Sequence, residues 1–268
     1  MKKIIIISAF FSILIKPATS IAWGAQGHRL IVETALSMLS PLARQKVLAA
    51  LGPHYSPDLA AVWMDSVRIK NVAKYKYMKN WHFVNMEVGQ TYAQVANQND
   101  VVYNLQRVIG ALNNTNAYSA DSLKQNLRIL FHLMGDITQP LHVGYKYDLG
   151  GNKDSVSTPV YNSPDNNLHH TWDDIIILEG KINLQTSVAY YHALSATKIA
   201  AAKQGDTKAW LSQTRAYLPD IYKCKPDTHK MTPLTLAYLD ENVPTVQQQL
   251  VYASIRLASV LEKAFGNH

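Results

Sequence analysis

His132 and Asp136 stand four residues apart in Phe131-His132-Leu133-Met134-Gly135-Asp136, a spacing that on a helix sets both side chains on one face, within reach of one cation. Pro140 ends that helix, so His142 leaves the helical register and need not point at the same ion. A cluster of more than one metal is therefore geometrically accessible. A buried histidine is more often a satisfied core residue, and an aspartate at a helix end is more often a cap. This stretch alone does not decide between the two.

Other segments offer more ligands. In Asn167-Leu168-His169-His170-Thr171-Trp172-Asp173-Asp174 the four-residue spacing permits either His169 with Asp173 or His170 with Asp174. Asp65 lies in Trp63-Met64-Asp65-Ser66-Val67-Arg68 among apolar neighbours, where a carboxylate is costly unless paired or metal-bound. In the aromatic run Trp81-His82-Phe83-Val84-Asn85, His82 is a candidate ligand and Phe83 a candidate stacking platform. A chain starting at Trp23 would present an α-amine with a pKa near ~7.7–8.0, low enough for a metal to displace its proton. That amine and the Trp23 carbonyl could chelate one ion together with His28.

Trp23, His28, Asp65, His82, His132, Asp136, His142, one of His169 and His170, and one of Asp173 and Asp174 make nine nitrogen- and oxygen-donor residues. Such donors suit zinc, and with Asp136 bridging they suffice for three ions. Together they outweigh the reading of each residue as ordinary core.

The elements that must position these residues are mainly helical. Apolar spacing predicts helices over 29–39, 42–51, 58–68, 91–113, 121–138, 184–203, 208–217, 233–239 and 243–265. The loop after His142, with Gly150-Gly151-Asn152 and Asn162-Ser163-Pro164-Asp165, is long and rich in turn formers. Its glycines allow close backbone approach to a ligand, and Asn152 offers both a donor and an acceptor.

A length of 268 residues with 47% hydrophobic content fits one large domain, expected over 23–268. Residues 1–22 read as a secretory signal: Lys2 and Lys3, the apolar run Ile4 to Ile15, then Ser20-Ile21-Ala22. That run is shorter than the ~20 apolar residues that span a bilayer. The expected location is periplasmic or secreted. Cleavage there removes three lysines and no acids, taking the net charge from +7 to +4 (23 basic against 19 acidic). Such a balance tolerates a polyanionic substrate without arguing for one, and no dense basic run is apparent. The single Cys224 forms no intrachain disulfide, so the chain must be held by its core, by metals, or by both.

The motif set W-G-x-x-G-H at 23–28, W-x-D at 63–65, W-H-F at 81–83, F-H-x-x-G-D-x-x-Q-P-L-H at 131–142, G-G-N at 150–152 and N-L-H-x-x-W-D at 167–173 resembles the zinc-dependent type I nucleases. These form the S1/P1 family of single-strand nucleases and 3′-nucleotidases. The resemblance implies a mainly α fold with long loops around a trinuclear zinc cleft. It assigns Asp65, His82, His132 and Asp136 to one zinc. The Trp23 amine and carbonyl, His28 and the shared Asp136 hold a second, and His142, His169 and Asp173 a third. It also implies catalytic roles for Asp65, Asp136 and Arg68, with Arg68 near the phosphate, and substrate contacts from Arg68, Phe83, Asn85, Gly151 and Asn152. Phe83 would stack on an unstacked base and Asn152 would bond its edge; Asn85 stands where the fungal relatives carry Asp. The implied reaction is hydrolysis of single-stranded DNA and RNA to 5′-phosphorylated products by a zinc-activated hydroxide. Bacterial zinc phospholipase C, similar in fold and ligands, is the nearest rival, and its relatives carry Glu at the last ligand position where this chain has Asp173. A non-catalytic zinc-binding secreted protein is another. No stable protein partner is expected.

Overall fold

The computed structural model describes residues 23–93, 99–161, 163–164, 166–227 and 229–266; the segment read as an export signal, 1–22, lies outside them. Helices α1 (Ala25–Ser37), α2 (Pro41–Leu51), α3 (Pro57–Ala61), α4 (Trp63–Ile69), α5 (Val101–Leu112) and α6 (Ala120–Asp136) form the first half. Then come α7 (Leu168–His170), α8 (Ile176–Glu179), α9 (Leu184–Ala193), α10 (Ala196–Lys203), α11 (Thr207–Arg215), α12 (Leu218–Ile221) and α13 (Leu236–Phe265). The described strands are two two-residue segments, Val156–Ser157 and Thr232–Pro233, paired in parallel. The fold is mainly helical, as expected.

Two helices organise the core. In α6, Leu127, Ile129, Leu130, Phe131, Leu133 and Met134 are all buried, so the helix is enclosed on every side over its last turns. The long α13 packs along α1 and α8, burying Leu239, Val246, Leu250, Leu257 and Leu261. The sequence expectation divides this helix between Leu239 and Val243, into 233–239 and 243–265. The helix instead runs through Pro244, since one missing N–H costs less than exposing the apolar face that the continuous helix buries.

Local capping corrects other boundaries. The helix expected over 91–113 starts at Val101, because the Asp100 carboxylate accepts from the Tyr103 N–H at 2.9 Å and caps it there. Ser195 caps α10 through the Lys198 N–H, which divides the expected 184–203 helix into α9 and α10. The helix expected over 58–68 breaks at Val62, separating α3 from α4. That break has a chemical use described below.

Leu130 is fully buried in α6 against this core. Leu130→Ala is expected to destabilise the metal-free protein by about 2–5 kcal/mol in denaturant titration; a loss under 1 kcal/mol would show that α6 is not central to the packing.

Candidate metal centre

Five histidines and three aspartates from six segments converge on the C-terminal end of α6. His28 comes from α1, Asp65 from α4, His82 from the turn before α5, and His132 and Asp136 from α6 itself. His142 sits on the short 3-10 turn Pro140–Val143. His169 lies on α7, and Asp173 on the π-helical turn Thr171–Ile175 that follows. All eight are buried.

Their atoms fall into three groups, each with ligand atoms within 4.8 Å of one another: His28, His132 and Asp136; Asp65, His82 and His132; His142, His169 and Asp173. Asp136 Oδ1 lies 3.3 Å from His28 Nε2, and its Oδ2 lies 3.1 Å from His82 Nδ1 and 3.5 Å from His132 Nε2. Asp65 Oδ2 is 3.6 Å from His132 Nε2. In this geometry His132 belongs to both of the first two groups.

Backbone carbonyls set the ring orientations. His132 Nδ1 donates to the Ala61 carbonyl at 2.9 Å, His142 Nδ1 to the His82 carbonyl at 2.7 Å, and His169 Nδ1 to the Gly150 carbonyl at 2.6 Å. A carbonyl only accepts, so the proton sits on Nδ1 and Nε2 presents a lone pair to the centre. The break at Val62 leaves the Ala61 carbonyl available for this task. The tight turn at Gly150, with φ of +64°, does the same for His169; a Cβ there would meet the Leu141 carbonyl.

The structure also separates the two pairs that spacing left open. His169 Nε2 lies 3.5 Å from Asp173 Oδ2, and both join His142, whose Nε2 is 3.8 Å from Asp173 Oδ1. His170 and Asp174 pair with each other at 3.4 Å but are more exposed and lie outside the triad. The π-helical turn sets this register, and such insertions are frequent at functional sites. Gln139 Nε2 donates to Asp173 Oδ1 at 2.6 Å, and the Asp173 carbonyl accepts from the Gly24 N–H at 3.0 Å. Trp23 is buried, its indole donating to Thr138 Oγ1 at 3.3 Å, two residues from Asp136.

The donors fit a metal. Both oxygens of Asp65, Oδ1 of Asp136 and Nε2 of His142 are buried without a hydrogen-bond partner, an arrangement too costly for a dry core unless a cation compensates it. His82 Nδ1 and His132 Nε2 face each other at 3.0 Å, a spacing that needs a cation or a proton between them. Burial holds His82, His132 and His142 below the usual imidazole pKa, and His169 down to about 4. These rings are neutral at pH 7, the state that binds metal. Burial raises Asp136 well above the usual carboxylate range in the metal-free protein, a shift that a bound cation reverses.

A cavity of about 220 Å³ opens beside the third group, lined by Arg68, His82, Phe83, Asn85, Asn152 and His169 among others. Phe83 is 36% exposed, Asn85 Oδ1 is buried without a partner, and Asn152 Nδ2 is engaged by the Leu149 carbonyl at 2.8 Å, leaving its Oδ1 to accept. Gly151 does not line this cavity; its carbonyl accepts from the His169 N–H at 3.3 Å and so helps seat that ring. Arg68 lies 3.6 Å from Asp65 Oδ1. Sequence reading missed Gln139, whose only signal was its place between Asp136 and Pro140, and the carbonyls of Ala61, His82 and Gly150, which no side-chain pattern reveals.

The family model described as S1/P1 Nuclease matches residues 23–266. Endonuclease 2 of Arabidopsis thaliana is 27% identical, covering 91% of each chain. Endonuclease 3 of the same plant is 29% identical over 92% of this chain and 90% of its own. Nuclease P1 of Penicillium citrinum is 33% identical over 56% of this chain and 57% of its own.

Two tests follow from the geometry. A Cβ on Gly135 would lie 2.7 Å from His28 Nδ1, so Gly135→Ala is expected to keep the helical circular dichroism yet lower the metal-to-protein ratio in mass spectrometry. An unchanged ratio would detach His28 from the centre. The second test is the acid response of metal-free protein. Unfolded histidines protonate near 6.5, whereas the four folded rings resist until lower pH, so below ~6.5 the unfolded chain binds more protons and stability falls. Asp136 and Asp154, with raised pKa values in the fold, act in the opposite sense, two groups against four. Tm is therefore expected to drop between pH 6.5 and 5; a rising Tm would contradict the assigned burial of these rings.

Proposed function

The chain belongs to the S1/P1 nuclease family, and on that premise we propose that it is a zinc-dependent endonuclease that hydrolyses single-stranded DNA and RNA to 5′-phosphorylated products, with 3′-nucleotidase activity. The observation that carries this reading is the convergence of three ligand triads beside a cavity that offers an exposed ring, Phe83, and two amide side chains. We propose three zinc ions: Asp65, His82, His132 and Asp136 hold one; the Trp23 amine and carbonyl, His28 and Asp136 a second; His142, His169 and Asp173 a third. Removal of residues 1–22 during export to the periplasm or medium frees the Trp23 amine.

When bound, zinc supplies Lewis-acid chemistry, acidifying water toward a pKa of about 7 and neutralising charge on the phosphoryl group. The protein's own groups do the rest. The Nε2 lone pairs of His132, His142 and His169 are held in place by their Nδ1 hydrogen bonds, so little reorganisation is needed. Arg68, between the two sides of the site, offers a fixed positive charge to a phosphoryl oxygen. Phe83 takes a base on its exposed face, and the oxygens of Asn85 and Asn152 accept from its edge. A base paired in a duplex cannot make these contacts without leaving its stack, which gives the single-strand preference.

The reading is tested by assaying zinc-loaded protein that starts at Trp23 on single-stranded DNA, duplex DNA, RNA, 3′-nucleotides and phosphatidylcholine. Cleavage of single strands and 3′-nucleotides, abolished by chelator and restored by zinc, is expected. Cleavage of phosphatidylcholine alone would assign the site to a phospholipase C, and zinc binding with no cleavage to a non-catalytic role. One extra residue before Trp23 is expected to lower the zinc stoichiometry measured by mass spectrometry; full stoichiometry would remove the Trp23 amine from the ligands.

A further inference from the structure

A second and larger cavity, about 410 Å³, adjoins the centre on the α4 side. Its walls combine apolar groups, Met64, Val67 and Met78, with Tyr75, Lys76 and Lys79, and it shares Arg68 and His82 with the smaller Phe83 cavity. The two cavities thus meet at the residue proposed to face the scissile phosphate. Tyr75 is half-buried and braced edge-on against Trp63, ring centroids 4.9 Å apart. The surrounding segment carries Arg68, Lys70, Lys74, Lys76 and Lys79, with no acidic residue between Ser66 and Met86.

A phosphodiester joins two nucleosides, and the Phe83 cavity has room for one of them. Resting on the nuclease reading above, we propose that the larger cavity is a second nucleotide subsite. It takes the sugar and base across the scissile phosphate from Phe83, against Tyr75 and the methionines, while Lys76 and Lys79 meet the next phosphate of the strand. Basic groups beside an aromatic platform are what sequence-tolerant binding of a single strand requires. The class of ligand is therefore an oligonucleotide of at least three residues.

The test compares kcat/KM on a dinucleotide and a hexanucleotide for zinc-loaded wild type and for Lys76→Ala/Lys79→Ala. As a charge control, Lys198→Ala/Lys208→Ala removes two exposed lysines from α10 and α11. The Lys76/Lys79 variant is expected to lower the hexanucleotide-to-dinucleotide ratio about tenfold. Its salt dependence of KM should also flatten by ~0.7 log units per decade, the value for one phosphate contact on a single strand. The control should change neither. Tyr75→Ala is expected to weaken both substrates. If wild type cuts both and the ratio is the same in the Lys76/Lys79 variant, or falls equally in the control, the subsite is refuted while the nuclease reading stands. If wild type cuts neither substrate, the nuclease reading fails and the subsite with it.

Discussion

Three carboxylates and five imidazoles, all buried, share the space at the end of α6, and the cost of desolvating them is the constraint on which the rest of the structure depends. Buried carboxylate oxygens without donors, and two ring nitrogens facing each other at 3.0 Å, are tolerated only where positive charge can enter. Neutral histidines supply none at pH 7. The surrounding protein contributes shape instead: carbonyls that select a tautomer, a glycine at 135 that admits the His28 ring, and a π-helical turn that sets Asp173 inward. Each departure from regular helix near the centre frees a backbone group or redirects a side chain toward it.

The chain order explains how this is built. Two helices lie in the interior, α6 carrying the central candidate ligands and α13 closing the back, while the others ride on the first turn of α1 and on short helices and turns at their edge. Short elements can be aimed separately, which one long helix cannot do. The helix at 57–69 illustrates the compromise: one continuous helix would use the Ala61 carbonyl in its own ladder, whereas the break at Val62 gives that carbonyl to His132. Local helical stability is given up for ring orientation at the metal.

How much of this was legible in the sequence follows from the physics of each signal. The His132–Asp136 pair was readable because helix geometry fixes what a four-residue spacing means, and Pro140 marks the stop. The choice between His169–Asp173 and His170–Asp174 was not, because both pairs satisfy the same spacing and both form; only the π-helical register, a tertiary outcome, separates them. The gap expected at 240–242 is closed because Asp240, Glu241 and Asn242 interrupt the apolar pattern only locally, while the burial that keeps α13 continuous through them is distant in sequence. The basic group from Arg68 to Lys79 escaped notice because its charges are spread over a helix end, a turn and a 3-10 segment rather than forming a run, and only folding gathers three of them at one cavity.

His132 and Asp136 join the first two ligand groups through one turn of one helix, so those two sites are not independent. A shift of α6 that serves one group moves the other. The ligands nevertheless come from segments as far apart as His28 and Asp173, and the turn after α6 is tied to both by Trp23 to Thr138 and Gln139 to Asp173. Metal bound at these groups would therefore draw α1, α4, α6 and the 169–173 segment together, and the free energy of binding would be in part free energy of folding. With one cysteine and no intrachain disulfide available, metal held at these groups would take the part that covalent cross-links play elsewhere. The residues that would hold the metal are also the ones that tie these segments to α6.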